Sequence, residues 1–321
     1  MNISAPLFSA ALIAVRDCMG AKPGERVLIV TDEPLRTIGY ALWKASKDLG
    51  AEVMLVEMLP RKTNGEEPPR EVAELMKMVD VVLCPTSKSL THTDSRRAAS
   101  EKGVRVATLP GVNEEIMVRC MNADYNKIAE RTFRLCDELE KTSVVRVKAP
   151  GGTDVTMPIM GRKAHASSGL FREKGLWGNL PTGEAYLAPV EGESQGVVVV
   201  DGSMAGVGMI THPITIVVKD GYATDITGGA EAKRLIELLE PHGKDARTVA
   251  EFGIGTNDKA ILTGLIIEDE KVMGTIHIAF GDNKSMGGSV RVASHLDGLV
   301  KKPTVWFDDR KIMESGMLLI V

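Results

Sequence analysis

Short apolar runs alternate with longer amphipathic stretches over the first 140 residues of the chain. Runs rich in Val, Leu and Ile are typical of buried strands, whereas apolar residues spaced three or four apart indicate helices. The predicted strands cover residues 26–32, 52–57, 80–84 and 104–109, and the predicted helices cover residues 5–19, 34–49 and 123–141. Strands that alternate with helices favour a parallel sheet with helices on both faces and right-handed connections.

From residue 143 onward the pattern changes to short strands separated by glycine turns. The predicted elements are strands over residues 143–148, 196–201 and 214–219, a hairpin turn at Asp220-Gly221, and one helix near residues 229–240. We therefore expect two domains. A Rossmann-like α/β domain would cover residues 1–142, and a β-rich α+β domain would cover residues 143–321.

The composition is that of a compact globular protein, with 44% hydrophobic and 26% charged residues. The net charge is −4, from 39 basic and 43 acidic residues, and no long basic run is present, so nucleic-acid binding is not expected. No stretch reaches the ~18 uninterrupted apolar residues of a membrane span, and the N-terminus lacks the basic start of a signal peptide. A cytoplasmic protein is expected, with its four widely spaced cysteines reduced and mostly buried.

Glycine motifs for phosphate binding are missing where a nucleotide would need them. The turn after the first predicted strand is Thr31-Asp-Glu-Pro-Leu, without glycine, so a dinucleotide cofactor is not expected. The glycine pairs Gly206-Val-Gly208 and Gly253-Ile-Gly255 are interpreted as tight turns. The sequence also lacks the Gly-x-Ser-x-Gly turn of serine hydrolases and the His-Glu-x-x-His helix of zinc proteases.

Two of the six histidines lie in segments that suit metal binding. His295 and Asp297 are two residues apart, so on an extended segment both side chains emerge on one face. His277 lies at the centre of an alternating apolar strand, where a neutral imidazole needs a metal or a hydrogen-bond partner. The alternatives are a hydrogen-bonded surface pair for His295 and Asp297, and a core histidine bonded to backbone for His277.

Two glutamates could complete a larger site. Glu184 lies in a segment punctuated by glycine and proline, and Glu251 begins the glycine-flanked segment Glu-Phe-Gly-Ile-Gly. An exposed turn residue is the alternative for Glu184, and a helix or strand cap is the alternative for Glu251. Together with His277, His295 and Asp297 they have the composition of a dinuclear hydrolase site, while the two histidines and the aspartate alone have that of a mononuclear iron site.

Four segments in order, GNLPTGEAYLAP, AEFGIGTNDKA, GTIHIAFGDN and SHLD, resemble the M29 family of metallo-aminopeptidases, of the aminopeptidase T or leucyl aminopeptidase type. The resemblance implies two divalent metal ions, zinc, cobalt or manganese. Their implied ligands are Glu184, Glu251, His277, His295 and Asp297. It further implies a homodimer that hydrolyses an N-terminal peptide bond or a small amide bond, with Glu184 and Glu251 as catalytic carboxylates. Which of the two glutamates, if either, is the general base stays open at this point.

The family places a tyrosine shortly after the central histidine, but residues 281–288 contain none, and Lys284 is the substitute considered for it. A second branch, resembling 2,5-dihydroxypyridine dioxygenases, would hold one Fe(II) with His277, His295 and Asp297 and does not need the tyrosine. The hydrolase is the main expectation, because both glutamates are present and few aromatic residues could stack on a pyridine ring. The third hypothesis is a non-catalytic binding protein without stoichiometric metal.

Overall fold

The computed structural model describes residues 3–320 and divides the chain into two compact units. The N-terminal unit extends to Lys127 and includes Gly169–Thr182, and the C-terminal unit comprises Ile128–Ser168 and the chain from Gly183 onward. This division differs from the predicted boundary between residues 142 and 143. The helix Tyr125–Leu139 crosses the observed division after Lys127 and contributes Leu135 and Leu139 to the core of the C-terminal unit. The later segment Gly169–Thr182 returns to the N-terminal unit.

Within residues 3–320 the chain folds into α-helices and β-strands with the following bounds. The α-helices are α1 (Ala5–Leu12), α2 (Arg36–Asp48), α3 (Arg70–Met76), α4 (Asp94–Glu101), α5 (Glu114–Met121), α6 (Tyr125–Leu139), α7 (Ala230–Leu239) and α8 (Ile266–Asp269). The first ten strands are β1 (Arg26–Asp32), β2 (Glu52–Met58), β3 (Val81–Cys84), β4 (Arg105–Thr108), β5 (Val144–Lys148), β6 (Asp154–Pro158), β7 (His165–Ser167), β8 (Trp177–Asn179), β9 (Glu184–Leu187) and β10 (Gln195–Val200). The remaining strands are β11 (Ser203–Met204), β12 (Gly208–Met209), β13 (Ile214–Lys219), β14 (Tyr222–Thr227), β15 (Val249–Gly255), β16 (Thr275–Gly281), β17 (His295–Lys301), β18 (Thr304–Phe307), β19 (Arg310–Glu314) and β20 (Met317–Leu318).

The N-terminal unit is built on a parallel sheet with the strand order β2-β1-β3-β4-β8. Strands β3 and β4 are buried along their whole length, as central strands covered on both faces must be. The four predicted strands of this half are confirmed as β1 to β4. The predicted helix over residues 5–19 is α1 followed by a π-helix, Ile13–Cys18.

The C-terminal unit contains two antiparallel sheets that share one apolar core. The eight-stranded sheet has the order β14-β13-β10-β6-β5-β18-β19-β20, and the seven-stranded sheet has the order β12-β11-β17-β16-β15-β9-β7. The predicted strands of this half are confirmed as β5, β10 and β13, with the hairpin turn at Asp220-Gly221 leading into β14. Residues from α6 and α7 also enter the core.

The cysteines and the helices bear on two features of the sequence, buried thiols and apolar segment length. Cys18, Cys84, Cys120 and Cys136 are all buried, as expected. In residues 3–320, no helix has both the length and the apolar character that crossing a bilayer requires.

Candidate metal centre

Four neighbouring strands of the seven-stranded sheet carry all five predicted ligands. Glu184 begins β9, Glu251 lies in β15, His277 lies in β16, and His295 and Asp297 lie in β17. These strands are adjacent in the order β17-β16-β15-β9, and their register pairs Glu251 with Ala279 and Ala279 with Asp297. The sheet therefore brings together five side chains that are distant in the sequence.

The two faces of this sheet have opposite character because successive residues of a strand point to opposite sides. Phe252 and Ile254 of β15, like Ile276, Ile278 and Phe280 of β16, belong to the apolar core. The residues that alternate with them, including Glu251 and His277, point to the other face. One side of the sheet thus anchors the strands in the core while the other presents carboxylates and imidazoles.

Gly253 makes room for the His277 ring on that face. The two residues lie directly opposite each other on β15 and β16, and an added Cβ at Gly253 would lie 2.0 Å from His277 Nε2. The interpretation of Gly253-Ile-Gly255 as a tight turn is wrong, since both glycines lie inside β15. Gly206-Val-Gly208 does form the expected turn, between β11 and β12.

The carboxylate of Glu251 lies between the two imidazoles. His277 Nε2 is 3.1 Å from Glu251 Oε1, and His295 Nε2 is 3.2 Å from Glu251 Oε2 and 3.4 Å from Asp297 Oδ1. The possible ligand atoms form two sets, each within 4.8 Å: Glu184, Glu251 and His277 in one, and Glu251, His295 and Asp297 in the other. Glu251 belongs to both sets.

The alternatives considered for single residues do not describe this arrangement. Glu184 is buried at the start of a strand, not exposed in a turn, and Glu251 is buried inside β15, not at an element end. His277 is fully buried, and its Nε2 faces carboxylates rather than backbone. Asp297 is also buried, which a surface pair with His295 would not require.

Backbone contacts orient His295. Its Nδ1 donates to the carbonyl oxygen of Asp282 at 2.7 Å, so its Nε2 is directed toward Glu251 and Asp297. In histidines that bind metal, the second ring nitrogen commonly donates a hydrogen bond in this way, which fixes the ring and the tautomer.

Within the described chain, Glu184 Oε2 is buried without a hydrogen-bond partner and lies 3.6 Å from His277 Nε2. His277 Nδ1 is likewise buried without a hydrogen-bond partner, so the orienting contact is shown for His295 alone. Two imidazoles, three buried carboxylates and an unsatisfied carboxylate oxygen fit a divalent transition metal.

The metal-free cluster retains protons on its imidazoles. Burial alone would lower the pKa of His277, but the carboxylates of Glu251, Glu184 and Asp297 raise it to about 9. Burial likewise opposes the charged form of His295, yet Asp297 and Glu251 raise its pKa well above the usual value. Burial would raise the pKa of Glu251, whereas the two imidazoles hold it far below its usual value. A bound cation would take over the charge compensation from these protons.

Two charged residues beside the cluster were missed by the sequence analysis. Lys271 Nζ lies 2.5 Å from Glu184 Oε1 and also forms an ion pair with Glu270. Burial works against the Lys271 cation, but the two glutamates raise its pKa above the usual value; burial raises the pKa of Glu270 to about 7. In the sequence both residues belong to the charged run Glu268-Asp-Glu-Lys271, which is typical of a solvated surface, so no local signal marked them.

The segment that supplies the Asp282 carbonyl is held by a second group of polar contacts. Glu191 accepts hydrogen bonds from the Asn283 side chain at 2.9 Å and from the Ser289 backbone N–H at 2.6 Å, and it forms an ion pair with Arg162. These contacts fix residues 282–289 in place, and the Asp282 carbonyl of this segment orients the His295 imidazole. Lys284, the considered substitute for the family tyrosine, is exposed on a 3₁₀-helix in this segment.

Comparison with known proteins adds a family match over nearly the whole chain. The family model described as NicX, 2,5-dihydroxypyridine 5,6-dioxygenase, matches residues 9–320. A curated 2,5-dihydroxypyridine 5,6-dioxygenase from Pseudomonas putida strain KT2440 is 23% identical over 245 residues, which cover 71% of this chain and 68% of the relative.

Two solved structures have a similar fold. The 2,5-dihydroxypyridine dioxygenase of Pseudomonas putida KT2440 has a TM-score of 0.84 at 19% identity, over 98% of this chain and 97% of that one. Wild-type AmpT from Thermus thermophilus has a TM-score of 0.72 at 17% identity, over 98% of this chain and 99% of that one. At these identities the two structures show the shared fold.

Proposed function

This chain belongs to the 2,5-dihydroxypyridine 5,6-dioxygenase family, and from that premise we propose that it is an Fe(II)-dependent dioxygenase that opens the ring of a dihydroxylated pyridine. The family match supports the alternative drawn from the sequence more than the main expectation of an aminopeptidase. The aminopeptidase is supported by the fold of AmpT, whose sequence is 17% identical.

The observation that carries the proposal is the approach of two imidazole Nε2 atoms to one buried carboxylate, with Asp297 beside the second imidazole. Two histidines and one carboxylate are the ligand set of non-haem Fe(II) oxygenases. In this proposal His277, His295 and Asp297 hold the iron, and Glu251 lies between the imidazoles. Bound Fe(II) would supply the one-electron chemistry that allows dioxygen to react with an electron-rich ring.

The surrounding residues of the chain provide access and a proton acceptor. His277 is fully buried, whereas the His295 side chain is 30% exposed, so we assign the approach of substrate to the His295 side. Glu184 Oε1 is held by Lys271, while Oε2 has no hydrogen-bond partner in the described chain. Glu184 Oε2 is therefore our candidate to take the proton of a substrate hydroxyl group, because both oxygens of Glu251 face imidazoles.

A dinuclear hydrolase is the second candidate, and one observation favours it. The five ligand residues form two sets that share Glu251, an arrangement that suits two bridged ions. Two ions would activate a water molecule and polarise the carbonyl of an N-terminal peptide bond. The Lys271 ammonium beside Glu184 counts against this candidate, since it already places a positive charge in the first set.

Oxygen uptake separates the two candidates. The full chain is stripped of metal, reloaded anaerobically with Fe(II), and mixed with 2,5-dihydroxypyridine in an oxygen electrode; a parallel sample loaded with Zn(II), Co(II) or Mn(II) receives aminoacyl p-nitroanilides. We expect oxygen uptake and loss of the pyridine absorbance with Fe(II), both abolished in His277→Ala. Nitroaniline release without oxygen uptake would replace the dioxygenase by the hydrolase. A chain that binds no metal and transforms neither substrate would favour the non-catalytic hypothesis.

A further inference from the structure

A buried ammonium group lies at one end of the acidic cluster. The Lys271 side chain is only 5% exposed, and its Nζ contacts Glu184 Oε1 at 2.5 Å and the carboxylate of Glu270. A lysine in such a position is held there by its carboxylate partners, since an unpaired buried charge is strongly unfavourable.

The backbone around Lys271 is fixed against β15. The Lys271 carbonyl accepts a hydrogen bond from the Asn257 N–H at 2.9 Å, and an added Cβ at Gly255 would lie 2.2 Å from the carbonyl oxygen of Val272. Only glycine at position 255 allows this approach. The ammonium is therefore placed by the same strand that carries Glu251.

This ammonium lies at the first of the two possible cation positions. That position is formed by Glu184, Glu251 and His277, and the second by Glu251, His295 and Asp297. A divalent ion at the first position would need Glu184 as a ligand and would lie beside the Lys271 charge. Like charges at such short range repel strongly in a buried site, where water screens them little.

We propose that Lys271 takes the place of a second metal ion: its ammonium neutralises Glu184 and limits the centre to one divalent ion. Glu184 then remains outside the metal ligands, and His277, the imidazole of the first position, serves the single ion together with His295 and Asp297, as in the proposed function. This inference rests on the proposed metal centre but not on the identity of the substrate. It explains how a fold with two adjoining sets of metal-binding side chains would serve a mononuclear enzyme.

The test is the number of ions bound, which does not require activity. Metal-free full-length protein is titrated with Mn(II), and the bound ions are counted by elemental analysis after desalting. Electron paramagnetic resonance distinguishes an isolated Mn(II) ion from an exchange-coupled pair. We expect one isolated ion per chain in the wild type and two coupled ions in Lys271→Met, which keeps an unbranched side chain without the charge. Lys259→Met, a change at an exposed lysine paired with Asp258, should leave one ion.

A second variant keeps the inference testable should Lys271→Met fail to fold. Glu184→Gln in the otherwise unchanged chain should still bind one Mn(II), with its dissociation constant changed less than ~3-fold, because Glu184 is not a ligand. Asp297→Asn should weaken the same ion by ~10–100-fold or more. Two ions in the wild type, one ion in folded Lys271→Met, or loss of the ion in Glu184→Gln would each overturn the inference. A wild-type chain that binds no ion would contradict the metal centre itself, and the proposed function with it.

Discussion

Replacing Gly253 by alanine would place a methyl group in steric overlap with the ring of His277. The three atoms nearest to an added Cβ all belong to that ring, at 2.0 Å for Nε2, 2.2 Å for Cε1 and 2.8 Å for Cδ2. To reach an ordinary contact distance of 3.4 Å, the ring would have to recede by about 1.4 Å. His277 is fully buried, so no free space receives it without movement of its neighbours.

Gly253→Ala should lower both the free energy of unfolding and the affinity for metal. Overpacking of this kind destabilises a folded protein by about 1–3 kcal/mol. A ligand displaced by more than 1 Å should weaken metal binding by roughly 10–100-fold, as disturbance of ligand orientation commonly does. Urea unfolding of the metal-free protein measures the first effect, and a Mn(II) titration measures the second.

His277→Ala supplies the matched background, because it removes the ring that the methyl group would meet. The unfolding free energy lost through Gly253→Ala should be much smaller in His277→Ala than in the wild type. Equal losses in the two backgrounds would refute the close approach of β15 to this ring, and so would a Gly253→Ala protein with wild-type stability and metal affinity.

Three further predictions concern the supporting contacts, protons and metal. Glu191→Gln removes the ion pair with Arg162 and should weaken Mn(II) binding about tenfold by loosening the segment that orients His295, whereas the exposed Glu193→Gln should not. In the metal-free protein, the pKa of His277 is about 9, against an ordinary value of 6.5. The contribution of the protonated imidazole to the free energy of unfolding is therefore complete below about pH 6.5 and is lost as the pH rises through 9. Urea unfolding from pH 6 to 10 should show this decline, and the decline should be smaller in His277→Ala. Removing metal with a chelator should lower the melting temperature. Restoring metal at 100 times its dissociation constant should raise the free energy of unfolding by about 2.7 kcal/mol. An unchanged melting temperature would contradict a site that binds metal in the folded state.

Much of the fold follows from short-range patterns in the sequence. The apolar runs within β1 and β3 are continuous because both faces of a parallel sheet are covered. The boundary between the units was less predictable. Amphipathic spacing identifies α6 as a helix, but it does not reveal which core receives its apolar face, nor that β8 joins a sheet formed by much earlier strands.

The candidate site was predictable to the extent that its residues carry local signals. His295 and Asp297 are spaced for one face of a strand, and His277 interrupts an apolar alternation, so each is visible in its own segment. Lys271 and the Asp282 carbonyl have no such signal, because their importance lies in contacts with residues distant along the chain.

The sequence by itself determined which side chains of each strand share a face, since alternation along a strand depends only on local backbone geometry. In the alternating segment that becomes β16, this was sufficient to separate His277 from the core residues Ile276 and Ile278, whereas the segment of Glu251 was interpreted as a tight turn and not as a strand. Only the tertiary structure decided which strands are neighbours and in what register. For that reason it alone revealed the glycine opposite His277 and the ammonium beside Glu184: contacts between strands depend on the packing of the whole unit, not on the spacing of residues within one segment.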